Sequence, residues 1–117
     1  PMTTETQVSL AADATLAAIG EALYLALDVA EADVDWNSVD GILEIECEDG
    51  SKIIVNRHLP NRELWVAARD GGFHFRARGG CWRDTRSDGE LGVALTALLR
   101  RQAGIDVQLP PLPAPPD

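Results

Sequence analysis

Apolar positions recur with two different periods along the chain. From Val8 to Ala30 the spacing is helical: Leu16, Ile19, Leu23 and Leu27 fall at i, i+3, i+7 and i+11 and form one stripe. Alanines fill much of the remainder, and alanine is the best helix former. Tyr24 and Leu25 lie off the stripe, giving the helix a second, partly apolar side, and Gly20 is a local weak point. From Gly41 the period becomes two. Leu43, Ile45 and Cys47 alternate with Glu44, Glu46 and Glu48, which predicts a half-buried strand with a wet carboxylate face. Asp49-Gly50 is a hairpin signal. The return strand runs Lys52 to Arg57, with Ile53 and Val55 on one face and Lys52, Ile54 and Asn56 on the other.

Pro60-Asn61 interrupts the pattern, and a third strand follows from Glu63 to Arg69. Leu64, Val66 and Ala68 share one face, so Glu63, Trp65 and Ala67 share the other. Asp70-Gly71-Gly72 turns the chain. Phe73 and Phe75 then point one way, His74 and Arg76 the other. Gly79-Gly80 leads into a short strand around Cys81-Trp82-Arg83, completing an antiparallel meander. Ser87 and Glu90 have the spacing of a capping box before a second helix. That helix carries Leu91, Leu95, Leu98 and Gln102 on one line and stops at Gly104. Ile105, Val107 and Leu109 alternate and are expected to pack back on the domain.

Both helices must bury their stripes, and one face of the sheet offers the surface. The expected fold is α+β: a two-layer α/β sandwich, with N- and C-terminal helices packed on one face of an antiparallel sheet of five to six strands. The other face is expected to meet solvent. A length of 117 residues predicts one domain, placed at residues 1–109. Residues 110–117 hold five of the seven prolines and read as a flexible, proline-rich tail. Pro1 ahead of Met2 reads as an added residue before the native start. No run matches the ~20 apolar residues of a membrane span, and no basic-then-apolar signal peptide opens the chain.

The net charge of −9 argues against nucleic acid as a partner. Residues 1–50 contain 12 acids and no Lys or Arg, whereas residues 51–117 contain 7 acids and all 10 bases. This split can gather cations or steer a basic partner. Cys47 and Cys81 match no metal or disulfide spacing, which fits a reducing, cytoplasmic setting. Cys47 alternates with Leu43 and Ile45 and reads as a buried small hydrophobe. No Ser/His/Asp, Cys/His, P-loop or HExxH arrangement is present, so no enzyme is expected.

A run of motifs from Asp40 to Gly104 narrows the reading. Asp40-Gly-Ile-Leu, Asp49-Gly-Ser-Lys-Ile-Ile-Val-Asn-Arg, Leu64-Trp-Val-Ala and Gly71-Gly-Phe-His-Phe occur in order. Trp82, Asp84-Thr-Arg-Ser and Gln102-Ala-Gly continue the series. In these motifs the chain resembles the frataxin family, in its bacterial CyaY-type branch. The resemblance implies the sandwich argued above, and an iron-binding protein of iron–sulfur cluster assembly that is not an enzyme. It implies two partners, a cysteine desulfurase and the iron–sulfur scaffold protein, with modulation of cluster formation or supply of iron.

The family's iron ridge lies on the first helix and the start of the first strand. The matching acids here are Glu21, Asp28, Glu31, Asp33 and Asp35, with Glu44 and Glu46 as a second row. Glu21 and Asp28 share a helix face but are roughly 10 Å apart along the axis, too far for one ion. Ala22, Tyr24, Leu25, Ala26 and Leu27 thin the ridge where bacterial relatives crowd acids. Carboxylates without His or Cys suit iron (Fe2+ or Fe3+) held weakly and exchangeably at the surface. The partner surface is expected at Asn56, Glu63, Trp65, His74 and Arg76, the Asn and Trp matching the family's contact face. Trp82 reads as core and His58 as a surface residue. A ferroxidase-type enzyme is the alternative, as is an oligomer or ligand module using the apolar first helix. The chain is expected to be monomeric, with metal-dependent oligomerisation as the exception.

Overall fold

Thr4 starts the first helix. Its hydroxyl accepts the Gln7 N–H at 3.1 Å, while the Gln7 side chain accepts the Thr4 N–H at 2.8 Å. This reciprocal cap satisfies two donors that a helix start leaves orphaned. The computed structural model describes residues 4–116. Pro1, Met2 and Asp117 lie outside the described residues. Helix α1 spans Glu5–Val29, and its stripe is buried at Val8, Ala12, Leu16, Ile19 and Leu23. Tyr24 and Leu25 stay exposed, as their position off the stripe predicts. By length and composition α1 is apolar enough to cross a membrane, a match the count of apolar runs misses because Asp13 and Glu21 interrupt the helix. Its stripe instead packs on the sheet.

Six strands follow: β1 (Asp35–Val39), β2 (Ile42–Glu46), β3 (Lys52–His58), β4 (Glu63–Ala68), β5 (Gly71–Arg78) and β6 (Cys81–Asp84). Each pairs antiparallel with the next, so strand order is chain order. Leu43, Ile45, Ile53, Val55, Leu64, Val66, Phe75 and Trp82 form the inner face and are all buried. They meet α1 and helix α2 (Leu91–Leu98), whose Leu91, Leu95 and Leu98 are also buried. Each such side chain contributes about 1.5–3 kcal/mol when fully buried. The two-layer sandwich is thus the one that the alternating strands and striped helices demand.

Four details differ from expectation. Residues 35–39, to which the sequence pattern assigns no element, form an edge strand in which only Trp36 is shielded, so no period-two apolar signal exists there. Trp36 also explains Gly20: a Cβ on Gly20 would lie 2.9 Å from the indole ring. Gly20 is a point of close approach rather than a mere weakness.

The cap of α2 is Glu90, not Ser87. The Glu90 carboxylate accepts the Gly92 and Val93 N–H groups at 2.6 and 3.1 Å. A bridge to Arg83 holds Glu90 extended, and Ser87 is spent in the preceding turn, accepting the Gly89 N–H. Past Leu98 the helix widens into a π-helical turn, Leu99–Ala103, which ends at Gly104 in the left-handed conformation (φ 69°).

Residues 110–116 are not a free tail. Leu112 is buried among the core residues, as are Ile105 and Val107 before it. The Pro113 carbonyl accepts the Trp82 indole N–H at 2.7 Å and the Thr15 hydroxyl at 2.6 Å. The physical reason is demand for an acceptor: Trp82 and Thr15 are both fully buried, and buried donors must be paired. A proline-rich segment offers carbonyls at little conformational cost, because its φ angles are already fixed.

Removing residues 110–117 is expected to lower stability by about 2–4 kcal/mol, from lost burial of Leu112 and an orphaned indole N–H. The change is read in the urea midpoint, which a non-contributing tail leaves unmoved. Gly20→Ala normally stabilises a helix. Here it is expected to cost about 1 kcal/mol through overpacking against Trp36, measured by thermal unfolding.

Candidate functional site

Among the described residues no helix covers the outer face of the sheet, and the register arranges its side chains in rows. One row crosses five strands: Val39, Ile42, Asn56, Trp65 and His74. The next crosses four: His58, Glu63, Arg76 and Arg83. All five expected partner residues, Asn56, Glu63, Trp65, His74 and Arg76, therefore share one face and adjoin each other.

Trp65 lies between two imidazoles. His58 stacks on one side at a ring-centroid distance of 3.7 Å and His74 on the other at 4.4 Å, both within 9° of parallel. The indole is half-buried rather than fully wet as a result. Its N–H donates to the Glu63 carboxylate at 2.8 Å. Arg76 pairs with the other Glu63 oxygen at 2.7 Å, and His74 Nδ1 stands 3.6 Å from the first. Glu63 faces outward as the alternation predicts, yet it is only 3% exposed, because these neighbours cover it. A carboxylate this buried needs paired and hydrogen-bonded neighbours, and the arrangement fixes the Trp65 rotamer.

Three members of this face escape the pattern analysis. The sequence pattern marks His58 only as a surface residue, although strand parity two residues beyond Asn56 puts it on the Trp65 face. Val39 and Ile42, 63% and 43% exposed, extend the row onto the first hairpin. Alternation about Leu43 already turns Ile42 outward, whereas finding Val39 requires knowing that β1 is a strand.

The candidate metal acids divide into two groups. Glu21 and Asp28 are exposed on α1, with exposed Tyr24 and Leu25 between them. Glu31, Asp33 and Asp35 are exposed around buried Val34. Asp35 faces Glu46 across the β1–β2 ladder, and these two with Asn37 and Glu44 border a depression of about 140 Å3. Lys52 occupies this corner too. Its ammonium meets Glu44 at 2.6 Å, and the hydrogen bond and charge of Glu44 hold the Lys52 pKa above its usual value. Among the described residues no three His, Cys, Asp or Glu side chains gather closely enough to hold an ion together. The corner fits a hydrated hard cation touching one or two carboxylates, not a caged one.

The frataxin-like domain family matches residues 2–105. This chain belongs to the frataxin family. It is 46% identical over 109 residues to the iron–sulfur cluster assembly protein CyaY of Cupriavidus metallidurans, covering 93% of this chain and 98% of that relative. The CyaY of Ralstonia nicotianae is 47% identical over 109 residues, covering 93% and 96%. Among solved structures, a frataxin from Psychromonas ingrahamii superposes with a TM-score of 0.73 at 27% identity, over 90% of this chain and 96% of that one. The trimeric yeast frataxin complexed with ferrous iron shares the fold (TM-score 0.71, 21% identity, 80% and 86% covered). In this frataxin-family chain the Asn56–Trp65 pair sits at the centre of the uncovered face.

Lys52→Gln is expected to tighten weak Mn2+ binding at the Asp35–Glu44–Glu46 corner by about threefold, from the lost repulsion of one nearby charge. Paramagnetic broadening of those amides reports it, and equal broadening in both proteins would show that Lys52 does not offset the corner.

Proposed function

We propose that this frataxin-family chain is a non-enzymatic protein of iron–sulfur cluster assembly. It docks on cysteine desulfurase and on the iron–sulfur scaffold through the Trp65 face, modulating cluster formation, and carries iron as a loosely held cargo at its acidic corner. The observation that carries this reading is the fixed Trp65, clamped between His58 and His74 and hydrogen-bonded to a buried carboxylate on the sheet face that no helix covers. A large side chain already held in one rotamer loses little entropy on binding, which suits an interface anchor. The names of the CyaY relatives support the pathway, and the ferrous complex of the yeast protein supports iron as the cargo.

The corner chemistry agrees. Carboxylate oxygens of Asp35, Glu44 and Glu46 border the corner and suit iron held through few direct bonds, so that the ion exchanges readily. The two thiols, Cys47 and Cys81, are free, which suits a reducing cytoplasm. A second contact is favoured by one specific feature: Tyr24, Leu25 and Val29 on α1 are 65%, 61% and 83% exposed. That apolar strip serves either a second partner or self-association.

Calorimetry against the cysteine desulfurase of the same organism tests the proposal. Trp65→Ala is expected to weaken binding by about 30-fold or more, the loss of an anchor worth at least ~2 kcal/mol. The Asp33→Ala/Asp35→Ala pair is expected to weaken it more at low salt than at high salt, because exposed charges are screened. Absence of binding by the parent protein at low salt removes the partner assignment. Catalytic Fe2+ oxidation that disappears in the Asp33/Asp35 variant would replace it with an enzymatic role.

A further inference from the structure

Arginines crowd one cleft of this acidic chain, lined also by Asp84 and Asp88. Four of its ten Lys and Arg residues, Arg76, Arg78, Arg83 and Arg86, line a single cleft of about 460 Å3 formed by β5, β6 and the turn after β6. The register sets Arg76 directly opposite Arg83 on the outer face, and like charges facing each other across strands cost stability. The neighbouring acids only partly offset them. Asp84 is engaged by the Arg86 and Ser87 N–H groups. Asp88 pairs with Arg78, and its carbonyl receives a long contact from Arg83 at 3.4 Å. Arg76 is held by Glu63, and the Arg86 guanidinium has no partner among the described residues.

The cleft is continuous with the docking face, because Arg76 and Trp65 share the same Glu63 carboxylate. The opposite end of that face is the acidic corner at Asp35 and Glu46, so the surface is electrically polar from β1 to β6. Guanidinium forks bind carboxylates in pairs of parallel hydrogen bonds, with geometric selectivity a point charge lacks. We propose that the arginine cleft is a carboxylate-binding site, which receives an acidic segment of the protein docked on the Trp65 face. This rests on the docking reading above and adds the chemistry and orientation of the partner: its acids lie over β5–β6 and its bases over β1–β2.

The test uses the full 15N-labelled chain titrated with a hexaglutamate peptide, with citrate as a parallel arm. Saturable shifts of the Arg78–Ser87 amides with hexaglutamate are expected. The apparent affinity should fall at least tenfold in Arg83→Gln/Arg86→Gln and stay unchanged in Arg100→Gln/Arg101→Gln, a control that alters the net charge equally. Unshifted cleft amides, or equal titrations in parent and cleft variant, overturn the inference. Shifts with citrate but not the peptide also overturn it, in favour of a small polyanion. Calorimetry of the same variants against the desulfurase and the scaffold protein separates the two claims. Parent-like binding of both partners by the cleft variant removes this inference and leaves the docking reading. Peptide binding in the cleft by a chain that binds neither partner supports the cleft chemistry and removes the docking reading.

Discussion

A buried indole N–H has to find an acceptor, and in this protein the search draws three remote parts of the chain together. Trp82 is completely shielded on the inner face of the last strand. Its N–H reaches the Thr15 hydroxyl on α1 at 3.1 Å and the Pro113 carbonyl at 2.7 Å. Left unpaired, that donor would cost about 1–3 kcal/mol. The apolar core sets how much free energy is available, but this polar triangle sets where β6, α1 and the C-terminal segment stand relative to one another. Because β6 is pinned from beneath, Arg83 and its neighbours are presented above.

The uncovered face is organised by the opposite device, a buried charge instead of a buried neutral donor. Glu63 belongs to the wet side by strand parity, yet its neighbours enclose it. An enclosed carboxylate imposes order on whatever pairs with it, here Trp65 and Arg76. Rigidity at this face is thus obtained without a covering helix. The same carboxylate joins an aromatic stack to a basic row, so the apolar and ionic parts of this face are mechanically linked.

Much of this was legible from periodicity. The inward sets Leu43/Ile45, Ile53/Val55 and Leu64/Val66 follow from alternation alone, and they place Asn56 and Trp65 outside. Cys47 is readable as core for the same reason, and Trp82 from the family resemblance of its motif. What stayed hidden depends on partners distant in sequence. β1 has no alternation to read, since an edge strand with four exposed positions owes its existence to the backbone of β2. The burial of Glu63 and the stacking of His58 come from cross-strand neighbours, not from local pattern. The proline content of residues 110–117 reads as a flexible tail. Leu112 and the Pro113 carbonyl are single contacts whose worth depends on Trp82 and Thr15 being there to meet them. Ser87 fitted a capping motif by spacing, but the bridge between Arg83 and Glu90 settled the helix start elsewhere.

The meander has a consequence for the timing of folding. Every pairing in the sheet joins strands adjacent along the chain, so the sheet assembles from short-range closures that cost little loop entropy. The bond between Thr15 and Pro113 spans 98 residues and can close only once the layers are stacked. Contacts made that late are absent from the folding transition state, so they govern how fast the native state opens and hardly affect how fast it forms. The polar clasp under β6 thereby separates two properties that usually travel together: the folding rate belongs to the hairpins, and the lifetime of the folded molecule belongs to its two ends.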